Sequence, residues 1–392
     1  MKHEYDLVVL GGGSAGLVAA GMAAVLGART ALVEARKLGG DCTWHGCVPS
    51  KSLLKAAKVA HEMRTADRYG LKPASPNHDL SHVMRRIHGI QHHIYQDADA
   101  PPNLEKYGVE VIAGRARFLD PHTVEIEGGG SLRKLGSRRF VIATGSSPRE
   151  PHLAGAEKVR ILNNETIFGL DRLPRHLVVL GAGPIGIEMA QAFRRLGSRV
   201  TVVSRSAGIL DRDDPELTPL LLNHLRGEGI RFLLGAGVDR AEDGAVYTNS
   251  GERLEADAIL AAIGRRPNLD SLNLAAARVE TNQKGIVVDR RCRTSAKHIY
   301  ACGDVAGRYL FTHMAEHMAK VAVTNAILHV PVRLDEDHVT WCTFTDPELA
   351  HVGRQEKELK QAGVRYSVYR LSLIHISEPT RLLSISYAVF CL

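Results

Sequence analysis

The sequence predicts an α/β protein containing two Rossmann-like dinucleotide-binding domains. Three observations lead there. The chain has 392 residues and 44% hydrophobic content, enough for two or three domains at about 100–200 residues each. A strand, Gly-rich turn, helix, strand pattern opens the chain, and a second copy of it begins at His176.

The first copy reads "YDLVVLGGGSAGLVAAGMAAVLGARTALVEA", with Gly11, Gly13 and Gly16 in the G-x-G-x-x-G positions. The first glycine permits the tight turn, the second lets a pyrophosphate approach the backbone, and the third lets helix and strand pack closely. The helix N-terminus supplies unpaired N–H groups for the phosphates. Glu34 then falls at the end of the second strand, where a carboxylate bonds ribose hydroxyls. A fingerprint with strand, helix and acid in place is far more specific than the glycines alone.

The second copy, "HLVVLGAGPIGIEMAQAFRRLGSRVTVVSRS", places Gly181, Gly183 and Gly186 in the same pattern. Two nucleotides are therefore expected. Counting from the third glycine, the position equivalent to Glu34 is Ser204, and Arg205 follows it. A carboxylate there would repel a 2′-phosphate, whereas a guanidinium binds one through charge-assisted hydrogen bonds. The second nucleotide is thus expected to be NADPH, with Arg205 as its selector and Arg212 as a second candidate.

Composition narrows the partners. The net charge is +7, but the basic residues are interspersed with acids and form no block, so no nucleic-acid partner is expected. Among nineteen histidines, His88, His92 and His93 cluster in "RRIHGIQHHIYQ". With no Cys or acidic ligand beside them they read as a solvated helix face, and no metal site is expected. No apolar run reaches the ~18 residues of a membrane span, and the N-terminus enters a strand without a signal-peptide pattern. No membrane partner and a cytoplasmic location are the expectations.

Cys42 and Cys47 stand five positions apart in "LGGDCTWHGCVPSKSLL". A structural disulfide closing so short a loop would contribute only about 2 kcal/mol, and a reducing compartment would open it. A structural zinc site draws four Cys or His ligands, and the stretch offers Cys42, His45 and Cys47 alone. A redox couple fits better. Cys47 precedes an amphipathic helix whose positive end favours a thiolate, and Lys51 lies one turn on.

The stretch "GGDCTWHGCVPSK" resembles the redox-disulfide signature of the class I pyridine nucleotide-disulfide oxidoreductases, which include dihydrolipoamide dehydrogenase, glutathione reductase and mercuric reductase. The similarity continues through "FVIATGSSPREP", "AAIGRRPNLDSLNL", "IYACGDVAG" and "CTFTDPELAHVG", in the family's order. It implies that the first nucleotide is FAD, and that Gly114, Thr144, Gly145, Gly264 and Asp304 are further cofactor-binding positions. It also implies that Glu188 partners Lys51 near the flavin, that Cys47 is the flavin-side thiolate, and that Cys42 is the outer thiol attacking substrate. Cys292, Cys302 and Cys342 are expected to be buried and inert. Trp44 and His45 depart from the signature, leaving two readings: groups beside the outer cysteine that alter substrate choice, or simple packing and solvation.

The resemblance further implies an FAD domain, residues 1–148 and 268–333, split around an NADPH domain, residues 149–267. The start of an α+β dimerisation domain occupies 334–370. Residues 371–392, "LSLIHISEPTRLLSISYAVFCL", resemble translated read-through of a sequencing adapter, so no function is expected of them, Cys391 included. The implied activity is an FAD-dependent NADPH:disulfide or mercuric-ion oxidoreductase, similar to mercuric reductase in the second fingerprint region. Its partners would be a small-molecule or metal-ion substrate and a second copy of the full-length parent, a homodimer compromised in this chain. The alternatives are dihydrolipoamide dehydrogenase and a flavin-binding redox sensor without turnover.

Overall fold

The computed structural model describes residues 4–76, 79–371 and the strand Ala388–Cys391. The chain divides into two compact units, one of residues 1–49, 87–149 and 265–334, the other of residues 50–86, 150–264 and 335–392.

The first unit is built on a five-stranded parallel sheet. Its order runs Ile299–Ala301, Phe140–Ile142, Leu7–Leu10, Thr30–Glu34, Val109–Ala113. Leu7 to Leu10 are all buried, as continuous apolar strands must be when both sheet faces are covered. One cover is the helix Ser14–Val25, whose buried face is Ala15, Gly16, Ala19, Ala20 and Ala23. Side chains this small let it pack closely against the helix Thr312–Val323. A three-stranded antiparallel sheet, Arg115–Asp120, Thr123–Gly128 and Ser131–Gly136, supplies the other apolar layer, with Phe118 meeting Phe140 edge-on at 5.1 Å. Strand order reverses beside Leu7–Leu10, which opens a crevice at the carboxyl end of that strand, the usual ligand position in such sheets.

The second unit repeats the plan. Its parallel sheet runs Arg231–Leu234, Arg199–Ser204, His176–Leu180, Ala258–Ala261, Ile161–Leu162. A three-stranded antiparallel sheet from Val238 to Glu255 packs on it around Val178, Val203, Val246, Leu254 and Ile259. The hairpin Thr340–Thr343 with Leu349–Val352 follows. The backbone of Ala388–Cys391 pairs antiparallel with Val368–Leu371; the rest of the C-terminal tail beyond Leu371 and the Cys391 thiol lie outside the described residues. Among the described residues, no helix is long and apolar enough to cross a membrane.

Candidate active site

In the first unit the glycine turn sits at the carboxyl end of Leu7–Leu10. Gly11 has φ +108°, a backbone that a side chain would strain, and a Cβ on it would strike the Ala143 carbonyl. A Cβ on Gly16 would collide with the Gly11 carbonyl oxygen, so helix and turn can close only on glycine. Gly13 caps the helix Ser14–Val25 with extended backbone and without a side-chain capping bond, leaving the first N–H groups for a bound anion. Glu34 accepts the N–H of Gly12 through Oε2 at 2.5 Å and that of Arg36 through Oε1 at 2.6 Å. Gly114 follows strand Val109–Ala113 with φ +157°, and a Cβ there would meet Ile126.

Asp304 closes the same unit. Ser146 donates its hydroxyl to Asp304 Oδ2 at 2.6 Å, and Arg265 stands 3.6 Å from that oxygen and 3.4 Å from Asp41. Burial pushes the Asp304 carboxyl above its ordinary range, with Ser146 and Arg265 pulling it back. Thr144 gives its hydroxyl to the Asn268 carbonyl at 2.9 Å, and Asn268 returns a bond to the Thr144 carbonyl. A glycine cradle that a Cβ would fill, an open helix start and a half-buried carboxylate with hydroxyl and guanidinium partners fit an FAD.

Cys42 lies in the helical turn Gly40–Trp44, and Cys47 is the first residue of the helix Cys47–Arg64. Both are thiols and half-buried. Thr312, at the start of Thr312–Val323, places its hydroxyl 3.1 Å from Cys47 Sγ. The Cys42 thiol is pushed far up, first by its bond to Cys47, then by burial and the negative charge of Cys47, while the Thr312 and Ser14 hydroxyls draw it back. Trp44 packs: its indole N–H donates to the Leu38 carbonyl at 2.8 Å, Tyr95 lies 5.3 Å from its ring, and the Lys37 ammonium stands over its face at 3.2 Å. His45 is half-buried with Asp41 at 4.0 Å. His88, His92 and His93 are exposed.

In the second unit Gly181 repeats the Gly11 geometry, with φ +106°, and a Cβ on Gly186 would collide with the Gly181 carbonyl. Gly183 caps the helix Pro184–Leu196 without a side-chain bond. Ser204 is buried at the end of its strand, whereas Arg205 and Arg212 are exposed. Gly264 follows the strand Ala258–Ala261 with φ +109°. The cradle is again one that a nucleotide's phosphates fit.

The structure joins Lys51 and Glu188, Nζ to Oε2 at 2.9 Å. Glu188 is buried and also accepts the Phe344 N–H at 2.9 Å, and the Lys51 ammonium lies 4.4 Å from the Phe344 ring centre. Cys342, two residues earlier in the strand Thr340–Thr343, is half-buried; the expectation of a buried thiol is corrected there, because its hairpin is only two strands wide. Its thiol is nonetheless pushed up to about 11 by burial and then by Glu348 and Glu188. Cys292 and Cys302 are buried. Thr312, Ser14, Ser146 and Arg265 complete these sites and were not singled out from the sequence.

This chain belongs to the pyridine nucleotide-disulphide oxidoreductase family, which matches residues 5–319. It is 35% identical over 387 residues to the mercuric reductase of Lysinibacillus sphaericus, covering 95% of this chain and 69% of that protein. It is 32% identical over 402 residues to a dihydrolipoyl dehydrogenase of Bacillus subtilis, covering 96% and 83%. Its fold matches the HOCl-induced flavoprotein disulfide reductase of Escherichia coli, solved as a Cu(II) complex, with TM-score 0.83 and 28% identity over 96% of this chain and 83% of that one. The chain spans between 60% and 69% of the three mercuric reductases it matches from Bacillus cereus, Lysinibacillus sphaericus and Staphylococcus aureus. It is thus a flavoprotein oxidoreductase of the disulfide reductase class, using FAD and a pyridine nucleotide. The α/β fold and the family expected from the sequence are both confirmed.

Proposed function

We propose that the chain passes electrons from NADPH through FAD to the Cys42–Cys47 pair, and from there to a small-molecule disulfide or a thiophilic metal ion. The observation that carries the proposal is the thiol pair itself: Cys42 in the turn Gly40–Trp44, Cys47 opening the helix Cys47–Arg64, and the Thr312 hydroxyl 3.1 Å from Cys47 Sγ. FAD, when bound, carries the two electrons between the pyridine nucleotide and the disulfide. Gly11, Gly13, Gly16 and Glu34 would hold its nucleotide portion, and Asp304 its polyol chain, while Lys51 and Glu188 act as a charged pair of fixed geometry.

The work of the protein groups follows from where the protons lie. Cys42 attacks one sulfur of a disulfide, and its proton passes to the other sulfur, which leaves as a thiol. Cys47, as its thiolate, then attacks Cys42 and releases a thiolate, so that two electrons and the substrate's S–S bond are exchanged for the Cys42–Cys47 bond. With a thiophilic metal ion, the same two sulfurs are soft ligands that hold the ion as substrate.

Arg205 beside Ser204, in place of an acid, supports NADPH as the reductant and weighs against an NAD-linked dihydrolipoamide dehydrogenase. A homodimer of the longer parent is proposed from the resemblance of residues 334–370 to the start of an interface domain, and a cytoplasmic location from the reducing conditions such a couple works against. The test is anaerobic NADPH consumption by flavin-loaded protein with mercuric ion offered as a thiol complex, and separately with lipoamide. Turnover of either that stops in Cys42→Ser, with dye-linked NADPH oxidation retained, supports the proposal; turnover that survives Cys42→Ser overturns it.

A further inference from the structure

The turn Gly40–Trp44 that carries Cys42 has only five residues. A helix this short does not sustain itself in water, and the carbonyls at its end lack intrahelical donors. Two side chains distant in sequence hold it. Gln91, on the helix Leu80–Ile94 and 4% exposed, gives both protons of its amide to successive carbonyls, Thr43 at 2.9 Å and Trp44 at 2.7 Å. Asp99, also buried, accepts the Thr43 hydroxyl at 2.6 Å. The residue after Cys42 is therefore tied through both backbone and side chain. None of these groups is placed to touch a substrate in the chemistry described above.

We infer that Gln91 and Asp99 are positioning residues for the redox couple, pinning the Cys42 turn so that the Cys42 sulfur stays beside Cys47 in the dithiol state. The inference rests on the assignment of Cys42 and Cys47 as that couple. Its physical content is an effective concentration. A disulfide reforms readily when its two thiols are held together, and less readily when one rides on a loose segment. The ties thus favour the disulfide over the dithiol and hold the couple's potential low. Forming the bond removes two protons and two electrons from the thiols; in the test below oxidised dithiothreitol takes them and becomes its dithiol.

Gln91→Met keeps the length of the side chain and removes both donors. Thr43→Val keeps the shape and removes the hydroxyl from Asp99. Each flavin-loaded variant is equilibrated anaerobically with dithiothreitol buffers of graded ratio, trapped by alkylation and read by mass at Cys42 and Cys47. The expected result is an equilibrium shifted about tenfold toward the dithiol in each variant, which is ~30 mV more oxidising for a two-electron couple, with a larger shift when both changes are combined. A purely structural role would lower the melting temperature and leave the potential where it is. An unchanged potential in folded Gln91→Met and Thr43→Val overturns the inference. Failure of the unmodified protein to interconvert the two forms at all overturns the assignment of the couple instead. If Gln91→Met does not fold, Thr43→Val alone decides.

Discussion

Lys51 reaches across 2.9 Å to Glu188, whose second oxygen accepts the Phe344 N–H. Glu188 is almost fully buried while Lys51 keeps more than a third of its side chain in solvent. Removing the lysine therefore leaves an uncompensated buried carboxylate, which is costly, although water screens part of the effect at the exposed partner. Lys51→Met is expected to destabilise the protein by about 1–2 kcal/mol. Combined with Glu188→Gln the losses should fall short of additive, because both remove one interaction. Urea melts of the four proteins in a double-mutant cycle check this, and strict additivity contradicts a working pair.

The Cys42 thiol is held up mainly by its bond to Cys47 and next by burial and the Cys47 charge. A raised thiol has less thiolate at any given pH, and thiolate is the alkylating species. Cys47→Ser removes the first and third causes, so the Cys42 pKa should fall. The iodoacetamide rate profile at Cys42, followed by mass spectrometry, should shift to lower pH in Cys47→Ser than in the reduced parent. No shift, or a shift upward, contradicts Cys47 as the main cause of the raised Cys42 thiol.

Two glycines on one helix separate cradle from propensity. Gly16→Ala drives a Cβ into the Gly11 carbonyl, which is backbone and cannot swing aside. Overpacking of this kind costs about 1–3 kcal/mol, and flavin content should drop sharply. Gly21→Ala meets only the tip of Leu104 at 3.9 Å, and should retain flavin while gaining about 0.5–1 kcal/mol from the helical alanine. Flavin absorbance per protein and thermal melts measure both; equal flavin loss in the two variants contradicts the cradle.

Arg205 is exposed just beyond the strand Arg199–Ser204. Arg205→Ala should weaken NADPH by roughly ten- to a hundredfold, the value of one charge-assisted contact at about 1.5–3 kcal/mol, and leave NADH little changed. Steady-state KM values for the two nucleotides with a dye acceptor provide the comparison. Equal use of NADH and NADPH by the unmodified protein contradicts the assignment.

What could be read from the sequence was whatever is local. Gly11, Gly13, Gly16 and their repeats at 181, 183 and 186 lie within a few residues of the strands and helices they join, so their spacing together with those flanking patterns announces the turn. The cysteines and Lys51 likewise lie within ten residues of one another. Thr312 meets Cys47 from 265 residues away, and Gln91 and Asp99 grip the Cys42 turn from 48 and 56 residues away. No periodicity in a single chain ties such positions together; the sheet order does, by returning Ile299–Ala301 beside Phe140–Ile142. Cys342 departs from its expectation because the lack of a redox-pair spacing says nothing of burial, and in its two-stranded hairpin the thiol is half-buried. Trp44 could not be settled from type alone, since an indole packs or projects equally well; Lys37, Tyr95 and the Leu38 carbonyl engage it.

The central claim is that the pair Cys42 and Cys47 cycles between disulfide and dithiol at the expense of NADPH. Flavin-loaded protein, oxidised so that the pair is bridged, is mixed anaerobically with NADPH, quenched with an alkylating agent and mapped by mass spectrometry. The account predicts two alkyl groups, one on Cys42 and one on Cys47, appearing together in proportion to NADPH consumed, with Cys292, Cys302 and Cys342 unchanged from the no-NADPH control. Consumption of NADPH with the Cys42–Cys47 bridge left intact would contradict it.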